Sequence, residues 1–72
     1  MKELITDIRE SKMMNQAEFA ELLGISQGML SMLEAGERLP GRKTIKSLVT
    51  IANPDQRTAI LNALVDDKQG HQ

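Results

Sequence analysis

Cysteine is absent from the 72-residue chain, and with it every disulfide, thiolate zinc site and cysteine nucleophile. The single histidine, His71, stands in the tail, so no Cys/His cluster offers a metal staple. No Gly-rich phosphate loop and no carboxylate pair with an orienting partner is visible either. The chain is therefore expected to be no enzyme and to carry no metal or cofactor. Long apolar runs are missing as well. "MKELITDIRESK" threads charges through its apolar positions, which fits neither a signal peptide nor a membrane span. A cytoplasmic protein is the expectation, and the absence of cysteine suits a reducing compartment. Excess charge of one sign is also lacking. Lys and Arg number 9 against 10 Asp and Glu, a formal net charge of −1, so bulk charge announces no polyanionic partner.

What is present is the composition of one small globular domain, 40% hydrophobic and 26% charged. A chain this short buries only about 60% of its unfolded surface, and with no disulfide or metal staple, self-association is the usual remedy. Apolar residues fall at helical steps. Leu4, Ile5, Ile8 and then Lys12/Met13 mark a first stripe over about residues 2–12. Asn15 followed by Glu18 has the layout of a capping box, opening a second helix at about 16–23 with Phe19, Leu22 and Leu23 as its stripe. Gly24 can end that helix and Ser26 can cap the next.

A third helix at about 27–34 carries Met29, Leu30 and Leu33 and stops at Gly36. "GERLPG" is a turn-rich loop. Ile45, Leu48, Val49 and Ala52 mark a fourth helix at about 42–52, and Asn53 then Pro54 open a fifth at about 54–66. No strand-like alternation occurs. The expectation is an all-α, five-helix domain over residues 1–66 with a flexible tail at 67–72.

Phe19, Ala20, Leu23, Gly24, Ile25, Leu30 and Leu33 together describe two short helices crossing steeply over a tight turn, the helix-turn-helix layout. Ala20 is small where the second helix must approach. Gly24 supplies the turn, Ile25 plugs the angle, and Leu30 with Leu33 anchors the second helix on the core.

"NQAEFAELLGISQGMLSMLEAGERLP" resembles the helix-turn-helix of the phage repressor and Cro family, the lambda-repressor-like XRE type, over about residues 4–52. Gln16, Ala20, Gly24, Ser26, Leu30, Ser31, Glu34, Gly36 and Pro40 stand where that motif places such residues. The resemblance implies that the third helix lies in the DNA major groove while the second crosses the backbone. It thereby implies a transcriptional regulator of the bacterial cytoplasm or nucleoid, a repressor on a palindromic operator.

The base-reading positions it implies are Gln27, Gly28, Ser31 and Met32. Gln27 can offer an amide donor and acceptor to adenine, and Met32 can pack on a thymine methyl or serve as gap-filling core or dimer packing. Gly28 either permits close approach to DNA or is merely tolerated. Phosphate contacts fall on Gln16 at the second helix's N-terminus and on Arg38, Arg42, Lys43 and Lys46, a run of four bases with no acid between. Arg9 and Glu34 resemble a family pair that bridges the first and third helices, an expected structural salt bridge.

In "PDQRTAILNALVDD" the apolar residues cover more than one narrow stripe. Part closes the core. The remainder, Ile60, Leu61, Leu64 and Val65, is a candidate two-fold interface, against the alternative of full burial in one monomer. A dimer would read two half-sites about 34 Å apart. The rival functional reading is a protein-binding module on the same fold, an antitoxin, antirepressor or repressor partner.

Overall fold

Helical spacing of apolar residues, punctuated by side chains that satisfy the helix ends, sets the architecture. The computed structural model describes the backbone of residues 1–70 and the side chains of residues 1–65. The chain folds as α1 (Lys2–Ser11), α2 (Gln16–Leu23), α3 (Gln27–Ala35), α4 (Arg42–Ile51) and α5 (Pro54–Gly70). The all-α, five-helix order expected from the sequence is the one observed. The last helix passes residue 66 and takes in most of the segment expected as a tail, since no proline or capping residue interrupts it before Gly70. His71 and Gln72 lie outside the described residues.

Each helix start has a donor-satisfying partner where the sequence supplies one. Asn15 Oδ1 accepts from the Glu18 N–H at 2.8 Å while Glu18 Oε1 accepts from the Asn15 N–H at 3.0 Å, a reciprocal capping box. Ser26 Oγ accepts from the Met29 N–H at 3.0 Å. Asn53 and Gln56 repeat the capping box at α5 with bonds of 2.7 and 3.0 Å, and Gln56 Nε2 also donates to Ser11 Oγ at the end of α1. Arg57 closes the other side of that corner, donating from Nε to the Val49 carbonyl and from Nη2 to the Ala52 carbonyl, both at 3.2 Å. Two carbonyls at the end of α4 are thus satisfied from α5.

The first three helices end alike. One residue takes the left-handed conformation: Met13 at φ 57°, Gly24 at φ 75° and Gly36 at φ 80°. In each case its N–H and the next residue's N–H fold back onto carbonyls of the last turn, to Glu10 and Arg9, to Glu21 and Ala20, and to Leu33 and Met32. This is the Schellman arrangement. At Gly36 a side chain would also collide with the Lys2 stem, 2.8 Å from where its Cβ would stand.

Ile5 and Ile8 of α1, Phe19, Ala20 and Leu23 of α2, Leu30 and Leu33 of α3, Leu48 and Ala52 around the end of α4, and Ile60 of α5 form one buried cluster. Each large side chain sealed there is worth about 1.5–3 kcal/mol relative to exposure. α5 packs against α1 and α4, and α3 against α1 and α2. Two apolar residues depart from their expected stripes. Met13 is 93% exposed because the chain turns left-handed there, and Leu22 is 45% exposed because Phe19, Ala20 and Leu23 already fill the inner side of α2.

The left-handed Met13 strains the backbone without any packing return. Met13→Gly is expected to stabilise the fold by about 0.5–1 kcal/mol in urea unfolding; a destabilised variant would mean the Met13 side chain makes a compensating contact.

Candidate nucleic-acid interface

The roll of α3 about its own axis decides which side chains face outward. Leu30 and Leu33 are buried on its inner side, and Ser26 fixes its first turn. Gln27, Gly28 and Ser31 are left exposed and Met32 half-buried. Gln27 with Ser31 and Gly28 with Met32 are one turn apart, so the four share a contiguous outward surface.

That surface is uncharged because the only ionisable residue of α3, Glu34, is turned inward. Arg9 Nε donates to Glu34 Oε2 at 2.8 Å and Arg9 Nη2 to Glu34 Oε1 at 3.2 Å, a forked pair whose side chains are 17% and 8% exposed. Arg9 Nη1 also donates to the Met14 carbonyl at 3.0 Å. Burial alone would push the Glu34 carboxyl up, but hydrogen bonds from Arg9 and Gln16 and the charge of Arg9 outweigh it and hold it below the usual carboxylate range. The same Glu34 hydrogen bond raises the Arg9 guanidinium.

Gln16 belongs to this network. Its Nε2 donates to Glu34 Oε1 at 3.1 Å, so one amide hydrogen of the residue expected to meet phosphate is engaged inside the protein, leaving the second uncommitted. Nothing in the local sequence signals this bond, since its partner lies eighteen residues away.

Arg38, Arg42, Lys43 and Lys46 are all exposed. Among the described residues Arg9–Glu34 is the one ion pair, so none of the four is neutralised there. Their positions follow from two surface concavities. Lys43 and Lys46 border a groove of about 760 Å³ together with Leu22, Gly24, Ile25 and Ile51, which sets them beside the turn that launches α3. Arg38 borders a smaller one of about 290 Å³ with Met29, Leu33 and Leu39, beside the body of α3. Arg42 begins α4 between them in sequence.

On α5 the four residues expected at a dimer interface separate. Ile60 is fully buried in the core of its own protomer and is corrected to a core residue, because the side of α5 facing α1 and α4 takes it. Leu64 is half-buried and packs on the same cluster. Leu61 and Val65 are 54% and 52% exposed. Among the described residues no group of acidic, histidine or cysteine side chains is placed to hold a metal ion, and no helix is long and apolar enough to cross a membrane.

Two short helices joined at a left-handed glycine, the second showing an uncharged outward face bordered by basic residues, define a DNA-binding helix-turn-helix domain. The chain belongs to the helix-turn-helix family, whose profile matches residues 5–53. It is similar to the ImmF control region 10 kDa protein of Bacillus phage phi105, with 40% identity over 52 residues. Those residues are 72% of this chain and 58% of the relative, so the chain spans little more than half the relative's length. No solved structure matches it.

Because the folded Glu34 pKa is lowered, its contribution to stability is present above the unfolded carboxylate value of about 4.3 and is lost as pH falls through the folded one. Glu34→Gln is expected to cost about 1–3 kcal/mol in urea unfolding at pH 7, with the difference from wild type shrinking below about pH 4. A difference constant down to pH 2 would remove the ionised carboxylate as its source.

Proposed function

We propose that the chain is a sequence-specific regulator that binds double-stranded DNA as a homodimer, laying α3 in the major groove of a palindromic operator and repressing transcription by occluding polymerase. The observation that carries this reading is the uncharged, exposed surface of Gln27, Gly28 and Ser31 on α3, bordered by basic residues free of carboxylate partners among the described residues. Phosphates repel carboxylates, so a groove-facing helix must keep its acids elsewhere, as Glu34 is kept. The similarity to a phage control-region protein supports a regulatory role in the bacterial cytoplasm or nucleoid.

In this reading Gln27 pairs its amide with adenine, Ser31 adds a hydroxyl, and the exposed part of Met32 packs on a thymine methyl. Lys43, Lys46, Arg42 and Arg38 contact phosphates on one side of α3. The first-turn N–H groups of α2 and the uncommitted amide hydrogen of Gln16 do so on the other. Leu61 and Val65 supply the apolar surface of a two-fold contact.

The deciding experiment is a selection from random duplex DNA with the purified chain at two salt concentrations, with sedimentation of the same sample. An enriched palindrome bound by a dimer is expected. A folded protein that enriches nothing would transfer the case to a protein-binding module, an antitoxin, antirepressor or repressor partner.

Gln27→Ala is expected to relax preference at one base step by about 1–3 kcal/mol while leaving binding to unrelated duplex unchanged; a uniform loss across sequences would take Gln27 out of base reading. Arg42→Ala and Lys43→Ala are each expected to weaken binding to every duplex and to reduce the slope of log affinity against log salt by about 1. An unchanged slope would place the phosphates elsewhere.

A further inference from the structure

Glycine is a poor helix former, second only to proline, and of the glycines at positions 24, 28, 36 and 41 all but one have a reason inside the fold. Gly24 and Gly36 hold left-handed backbone at φ 75° and 80°. Gly41 is the N-cap of α4, a position glycine favours. Gly28 has neither reason. It lies within α3 with no positive φ, it is exposed, and a Cβ built on it meets nothing within 4 Å. An alanine would fit the folded chain without displacing an atom.

The empty space where a side chain would stand is flanked by Gln27 and, one turn on, by Ser31 and Met32. As the second residue of the helix, Gly28 presents a backbone N–H that has no carbonyl partner within α3, and no side chain covers it. A residue that weakens its helix and gains nothing from its own protein finds its use at a surface the free chain does not contain.

We infer that Gly28 is a clearance residue for duplex DNA: its missing side chain lets the backbone of the first turn of α3 approach the base edges closely enough for Gln27 and Ser31 to reach them. This rests on the reading of α3 as the groove-facing helix and deepens it. Gly28 determines specificity by the depth at which the helix seats and not by a side-chain contact. A methyl group at this point holds the whole helix away, so the bonds of its neighbours lengthen together, while phosphate contacts from the long side chains of Arg42 and Lys43 adapt.

The test uses the full chain, its Gly28→Ala and Gly28→Ser variants, the duplex that wild type selects, and an unrelated duplex of equal length at the same salt. Thermal unfolding is read by circular dichroism and affinity by titration. Both variants are expected to keep the wild-type Tm or exceed it by about 2–5 °C. Affinity for the selected duplex is expected to fall about 10-fold or more, with affinity for the unrelated duplex within about 2-fold of wild type. Wild-type affinity for the selected duplex in either variant would overturn the clearance role, and a lowered Tm in both would return Gly28 to the fold. Failure of the wild-type chain to select any duplex would overturn the regulator reading itself, an outcome visible before any variant is made.

Discussion

The Glu34 carboxylate accepts two hydrogen bonds from Arg9 on α1 and one from Gln16 on α2, while Arg9 reaches on to the Met14 carbonyl between them. Three helices and a connecting segment therefore meet at one side chain of α3. A pair this buried gives back little more than the desolvation it costs, so the apolar cluster around Phe19 and Leu30 supplies most of the stability. The carboxylate supplies orientation. Leu30 and Leu33 alone would tolerate some rolling of α3 on an apolar bed, whereas a forked guanidinium–carboxylate pair is directional. With Glu34 bonded to α1 and α2 near the C-terminal end of α3, the roll of the helix is set, and Gln27, Gly28 and Ser31 stand exposed along its first turns.

The same carboxylate shapes the charge pattern. A chain with a net charge of −1 can still offer a polyanion an acceptable face if its acids are placed well. On α3 the single acid is paired internally, and the stretch from Arg38 to Lys46 holds four bases without an acid. Local arrangement thus does what overall charge does not.

Much of this was legible because the governing rules are local. Asn15 with Glu18, Ser26, and the glycines at 24 and 36 each announce a helix end through chemistry completed within a few residues. The Schellman turn after α1 was not legible, since methionine occupies the place where glycine gives the signal. Asn53 with Gln56 follows the same local rule, a capping box completed within three residues. Leu22 and Ile60 show where periodicity alone stops. Spacing marks a stripe, but which flank of a wide stripe turns inward depends on the partner helices, and α5 spends Ile60 on the core while leaving Leu61 and Val65 outside. Gln16 and Arg57 lie further beyond reach, because a long side chain that bonds another helix leaves no trace in its own neighbourhood.

Arg57 carries one more consequence. By holding the Val49 and Ala52 carbonyls it clamps the last turn of α4 to the first turn of α5, and Gln56 fastens the same turn to Ser11 of α1. The corner between the two helices is a rigid elbow and not a hinge. A second protein gripping Leu61 and Val65 therefore grips, through this elbow, the helix that bears Arg42, Lys43 and Lys46. Whatever binds at the apolar end and whatever binds at the basic end are thereby held at one fixed distance and orientation.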